Sequence, residues 1–137
     1  MNFKYELLDQ TSDIRIRIFG NSTENIILNA ILAFNDIIYA GEEEKLGESK
    51  VYKLNFLKPD LLVVDILSWA ILELDSNNVL IKPINISVDE SIGLLTVIYE
   101  ESIAKDGSSF RFSPKGATYN DVIFDLKNGY AEITIDT

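Results

Sequence analysis

Histidine and cysteine are both absent from the 137-residue sequence. That removes the commonest general base and metal ligand, thiolate nucleophiles, disulfides and zinc–thiolate sites. The chemistry left belongs largely to carboxylates, and these are so numerous that one matters only where the fold must bring it to another. Asp13 and Asp136 meet that test. Residues 13–19 alternate Ile14, Ile16 and Ile18 with Arg15 and Arg17, and residues 130–136 are a second extended candidate. Set antiparallel with 13 opposite 136, they place Ile14 against Ile135, Ile16 against Ile133 and Arg17 against Glu132, each a compatible cross-strand pair. Asp13, Asp136 and the α-carboxylate of Thr137 then crowd one corner, where like charges resist ionisation unless a cation neutralises them. All-oxygen donors suit a hard ion, Ca²⁺ or Mg²⁺, and not Zn²⁺ or Cu²⁺. On the residues alone a second reading stands beside this one: Asp13 as a turn or cap residue and Asp136 as a solvated terminal charge.

The second segment of interest is Pro114-Lys115-Gly116-Ala117-Thr118-Tyr119-Asn120-Asp121. A lysine and exposed amides near a glycine can form an anion-accepting corner or a partner contact. The same residues also read as a turn feeding a strand over 117–126, with the Tyr119 ring packed on a neighbour.

The elements that must position these groups follow from periodicity. Strands are expected over 3–8 and 13–19, then a helix over about 22–40, capped by Asn21 or Ser22 and ended by Gly41, with Ile26, Ala30, Ile31, Phe34 and Ile38 on one stripe. Residues 42–49 carry too much charge to pack and read as a solvated loop. A strand over 50–57 precedes a helix opened by Lys58-Pro59-Asp60 and closed by Asn77-Asn78, so apolar that it should be buried nearly all round. Strands are expected over 79–88, 92–100, 117–126 and 130–136, with turns at Asp89-Glu90-Ser91, Asp106–Ser109 and Lys127-Asn128-Gly129, the last a tight hairpin on Asn-Gly. The pattern is α+β: a largely antiparallel or mixed β-sheet system with two main helices packed on it, in a single domain over 1–137.

Twelve basic against 22 acidic residues give a net charge of −10, a field that repels phosphate backbones, so no direct nucleic-acid binding is expected. The N-terminal residues lack the pattern of a secretory signal, and the longest apolar stretch, 61–74, is broken by Asp65, Ser68 and Glu73. A cytoplasmic protein without membrane association is expected.

At the two segments singled out above, the sequence resembles the archease family. Asp9-Gln10-Thr11-Ser12-Asp13-Ile14 is similar to that family's Asp-His-Thr-Ala-Asp-Ile signature. Lys115-Gly116-Ala117-Thr118-Tyr119-Asn120 is similar to its Lys-Ala-Val-Thr-Tyr-His signature, and Ile135-Asp136-Thr137 to its short acidic C-terminus. The helix after Pro59 sits where archeases carry a Trp-Leu helix. The resemblance implies an archease-like fold and an accessory protein, not a stand-alone enzyme. Its partner would be the RtcB-type tRNA-splicing RNA ligase, whose guanylylation and multiple turnover archeases promote. A chaperone-like module for tRNA-modifying enzymes, such as a tRNA methyltransferase, is the alternative.

Carried over by position, the resemblance implies metal ligands at Asp13, Asp136 and Thr137, with Ca²⁺ first and Mg²⁺ or Mn²⁺ as substitutes. It implies partner contacts at Asp9, Gln10, Lys115, Thr118, Tyr119 and Asn120. Gln10 and Asn120 replace the family's histidines, keeping hydrogen-bonding capacity and losing titration near neutral pH. A metal-dependent hydrolase on the same carboxylates is the weakest reading, because only Lys115, Tyr119 or a spare carboxylate could assist the ion.

Overall fold

The computed structural model describes residues 5–9 and 12–137; Phe3, Lys4, Gln10 and Thr11, on which parts of the first strand and first motif fall, lie outside them. The first sheet runs β1–β2–β8–β7, with β1 at Tyr5–Asp9, β2 at Ile14–Phe19, β7 at Gly116–Asp125 and β8 at Tyr130–Asp136. Isoleucine alternation fixes its register. β2 and β8 pair antiparallel with Ile14 opposite Ile135, Ile16 opposite Ile133 and Arg17 opposite Glu132, as the pattern requires. One face of this ladder (Ile14, Ile16, Ile18, Ala131, Ile133 and Ile135) is buried in the core.

Helix α1, Thr23–Ile38, is capped by Ser22, whose hydroxyl accepts from the Asn25 amide. Its Ile26, Ala30, Ile31, Phe34 and Ile38 are all buried. It stops before Gly41, contrary to expectation. Tyr39 turns extended at φ −137° and forms an isolated bridge with Phe110. The Tyr39 ring lies 4.7 Å from that of Phe110, and its hydroxyl donates to the Glu42 carbonyl at 2.5 Å and accepts from the Asp106 amide at 3.0 Å. These tertiary bonds, not a glycine cap, end the helix.

The second sheet is centred on β6, Leu94–Ala104. β5, Val79–Asp89, pairs along one edge, and β4, Lys50–Asn55, and β3, Glu43–Lys45, pair with its other edge in succession. β3 corrects the loop expected over 42–49. Its side chains are all exposed, and the strand forms through backbone pairing with residues 102–104 and an ion pair between Glu43 and Lys82 at 2.9 Å, of which the side-chain pattern carries no trace.

Helix α2, Leu62–Asn77, follows a 3₁₀ turn at Pro59–Leu61 and ends at Asn78 in the left-handed region, φ 56°. It is buried on most sides only as far as Ile71. Beyond that Leu72 is 61% exposed and Asp75, Ser76 and Asn77 face solvent, so the all-round burial expected fails over the last turns. Trp69 anchors α2 to β4 and β6 by stacking on Tyr52 at 4.0 Å and meeting Tyr99 edge-on at 4.9 Å.

The last hairpin also departs from expectation. Only Gly129, at φ +77°, takes a positive φ in the turn, and a four-residue connection, Leu126–Gly129, replaces the two-residue Asn-Gly turn. Asp125 holds it by accepting from the Asn128 amide and side chain. The Asp89–Ser91 turn runs on to Gly93, at φ +64°, where an added methyl would collide with the Phe56 carbonyl. No described helix is long and apolar enough to cross a membrane.

Candidate functional site

The β2–β8 ladder ends at Ile14 and Ile135, which sets Asp13 and Asp136 at the same end of two adjacent strands. Asp13 lies in a bend just before β2 and not in the strand itself. Two bonds tie the corner together. The Thr137 hydroxyl donates to the Ser12 carbonyl at 2.8 Å, and the Lys115 amide donates to the Asp136 carbonyl at 2.7 Å, next to Gly116, which pairs with Asp136. The predicted ligand residues and the start of the second motif therefore meet at one exposed edge. Asp9 ends β1 opposite Arg15, on the same side of the sheet system.

No three acidic side chains converge on one point among the described residues. The corner offers two carboxylates, from Asp13 and Asp136, and main-chain oxygens of residue 137. That donor set fits a hard divalent ion that keeps much of its water, and it offers nothing for a soft metal.

The Lys115–Asn120 motif is not a plain strand start. Thr118 pairs with Thr134 and Ile123 with Glu132, so residues 119–122 stand against Ile133 alone in a wide bulge. Asp121 adopts φ 57° there, and Thr118 accepts from the Asn120 amide at 3.1 Å. The bulge throws Tyr119 outward to 55% exposure, where its hydroxyl donates to the Asp65 carboxylate of α2. That bond, with some burial behind it, raises the phenol above its ordinary pKa. The ring is thus displayed and tethered to α2, in contrast to the packed ring expected of a plain turn feeding the strand.

Behind the bulge lies a charged network. The Arg15 guanidinium donates to the Asp121 carbonyl at 2.7 Å, to Thr134 at 2.9 Å and to Glu132 at 3.1 Å. Arg17 reaches the other Glu132 oxygen at 2.8 and 2.6 Å and lies over the Tyr130 ring at 5.0 Å. Glu132 is 6% exposed. Burial pushes its carboxyl up, but the hydrogen bonds from Arg17 and Arg15 outweigh burial and hold it below the usual range.

Arg15, Asp65 and Glu132 were absent from the sequence-derived site, and Asp121 stood only at the end of the second segment, with no role assigned. The Arg17–Glu132 pairing was visible in the register; the reach of Arg15 to Asp121 and of Tyr119 to Asp65 depends on the bulge, which nothing in the local sequence marks.

Comparison with known proteins bears on this arrangement. The profile of the Archease protein family (MTH1598/TM1083) matches residues 5–136, a span that takes in both motif segments and Asp136. The chain belongs to the archease family. An archease from Thermoplasma acidophilum is 28% identical over 132 residues, covering 96% of this chain and 92% of the relative. One from Thermoplasma volcanium is 27% identical over 134 residues, covering 96% and 98%.

Two solved archease-fold structures superpose over nearly the whole chain. The solution structure of Methanobacterium thermoautotrophicum protein 1598 gives a TM-score of 0.68 at 18% identity, covering 97% and 98% of the two chains. The crystal structure of a Thermotoga maritima archease, described as a possible chaperone, gives 0.59 at 22% identity, covering 96% of each. Both likenesses establish the α+β fold of two helices on antiparallel sheets.

Proposed function

We propose that this archease is an accessory activator of a tRNA-splicing RNA ligase, docking through the corner where β2, β8 and the start of β7 meet. One observation carries the reading. The motif residues Ser12, Lys115, Asp136 and Thr137, far apart in sequence, are tied together by the Thr137 hydroxyl bond to the Ser12 carbonyl and the Lys115 amide bond to the Asp136 carbonyl, and with Asp13 they stand at a solvent-facing edge beside the displayed Tyr119. In this reading Asp13, Asp136 and the main-chain oxygens of Thr137 hold a hard divalent cation, Ca²⁺ first and Mg²⁺ or Mn²⁺ by the same chemistry. Asp9, Thr118, Tyr119 and Asn120 supply the surrounding contacts. A net charge of −10 favours a basic protein partner over RNA itself.

Sub-stoichiometric addition of the protein to its cognate ligase, with GTP and a broken tRNA, is the test. Multiple-turnover joining should rise, and Asp13→Ala or Asp136→Ala should remove the gain; equal product with and without the protein would refute the proposal.

The description of the Thermotoga relative as a possible chaperone favours a second reading, a binding module for enzymes such as a tRNA methyltransferase. Exposed apolar side chains such as Leu57, at 101%, and Ile92, at 67%, are consistent with it. It requires that protection of aggregating clients survive Asp136→Ala.

A further inference from the structure

The turn between β7 and β8 carries a chemistry of its own. Asn128 is exposed, and among the chain's asparagines it alone precedes a glycine. Asparagine is thermolabile because the next residue's amide nitrogen can attack its side-chain carbonyl carbon, and a glycine there has no side chain to obstruct the approach.

The closed turn engages each group that this attack requires. The Gly129 N–H, whose nitrogen is the nucleophile, donates to the Leu126 carbonyl at 3.2 Å. The Asn128 side-chain amide, which holds the leaving group, donates to one Asp125 carboxylate oxygen at 2.8 Å, and the Asn128 backbone amide donates to the other at 3.1 Å. The Gly129 carbonyl in turn accepts from the Gly20 amide at 3.0 Å, which pins the glycine from its other side. Bonds from Asn128 hold the Asp125 carboxyl below its ordinary range, so Asp125 is a charged acceptor at neutral pH.

We propose that Asn128 is a site of spontaneous deamidation, guarded by Asp125 while the β7–β8 hairpin is closed and released when it opens. In the open turn the Gly129 nitrogen loses its proton to solvent and bonds to Cγ of Asn128, the bond from Cγ to the side-chain nitrogen breaks, and ammonia leaves. Water then opens the resulting succinimide at either carbonyl, giving aspartate or isoaspartate. Neither product rebuilds the turn. Aspartate sets a second carboxylate where the amide donated to Asp125, and like charges repel. Isoaspartate lengthens the main chain by one atom just before Gly129, which displaces it from Leu126 and Gly20, and Tyr130 from its partners Asp125 and Phe19. The change falls at the start of β8, the strand whose far end carries Asp136.

The test incubates the full-length protein at mildly alkaline pH, folded and in urea, and follows the peptide containing residues 128–129 by mass spectrometry and an isoaspartate-specific methylation assay. In urea Asn128 should convert ahead of every other asparagine, gaining one mass unit. In the folded protein it should convert at least about tenfold more slowly, because the turn's hydrogen bonds must open first. Asp125→Ala should speed conversion of the folded protein about fivefold and leave the rate in urea unchanged. Asn128→Asp, which copies one product, should lower Tm by about 3 °C near pH 7, and the loss should shrink below about pH 4 as the paired carboxylates take up protons. Equal rates in the folded and unfolded chains, another asparagine converting first in urea, a folded rate insensitive to Asp125→Ala, or an Asn128→Asp protein as stable as the native one would each overturn the inference.

Discussion

Replacing Glu132 by glutamine keeps the shape of the side chain and removes the charge on which two arginines converge. In the native protein this buried carboxylate accepts from Arg17 at 2.8 and 2.6 Å and from Arg15 at 3.1 Å. A charge-assisted bond contributes about 1.5–3 kcal/mol and a neutral one about 0.5–1.5, so three weakened bonds set an upper bound of several kcal/mol. The arginine side chains are 21% and 36% exposed, so water recovers part of that. A net loss of about 2 kcal/mol is expected, below the about 3–5 kcal/mol for stranding a fully buried charge. In a chain of this length that lowers Tm by about 7 °C in a calorimetric scan near pH 7.

The pH dependence supplies the sharper test. The folded carboxyl titrates below the unfolded value of about 4.3, so its contribution is complete above that pH and is lost as pH falls through the folded value. The difference between native and Glu132→Gln proteins should therefore shrink steadily below about pH 4. A difference that is the same at neutral and acid pH, or a neutral-pH loss under about 0.5 kcal/mol, would show that the network does not stabilise the fold as the distances imply.

The Tyr119 phenol should titrate above its ordinary value in an ultraviolet absorbance titration and return towards it in Asp65→Asn. The stability that bond supplies is present below the unfolded tyrosine pKa and disappears as pH rises through the folded one. Asn78→Ala should lower stability by about 1 kcal/mol in urea unfolding, through the left-handed φ and the lost bond to the Ala104 carbonyl, with Asn78→Gly recovering the conformational share. Phe34→Ala should cost about 3–5 kcal/mol by emptying a fully buried site, again read from urea midpoints. Calcium at a hundredfold excess over its dissociation constant should add about 2.7 kcal/mol of stability to the native protein and none to Asp13→Asn or Asp136→Asn.

The β2–β8 register was legible because isoleucines alternate in both segments and Arg17 needs Glu132, so any slip would turn charges into the core. That register was enough to bring Asp13 and Asp136 to one end of the sheet from opposite ends of the sequence. β3 was illegible because its three residues are exposed and charged, and the backbone pairing and the Glu43–Lys82 ion pair that hold them leave no periodic side-chain pattern. The end of α1 was misplaced because Gly41 looks like a cap, while the bonds that end the helix come from Phe110, Glu42 and Asp106.

Within the site, the bulge at 119–122 was hidden. It contains no glycine, and Asp121 takes its left-handed conformation with its carbonyl held by Arg15 across the sheet. Asp65 was hidden for a related reason: its link to Tyr119 joins a helix to a strand 54 positions away.

β8 lies between β2 and β7, and Arg15 of β2 and Thr134 of β8, bonded to each other, stand 119 positions apart. During synthesis on the ribosome, β2 and β7 must wait without a shared neighbour until residues 130–136 emerge, while the β5–β6 hairpin can zip as soon as it is made. The insertion of β8 thus becomes the late, slow step, and the corner bearing Asp13 and Asp136 is assembled in the same stroke. A nascent chain cannot present that corner before its first sheet is closed.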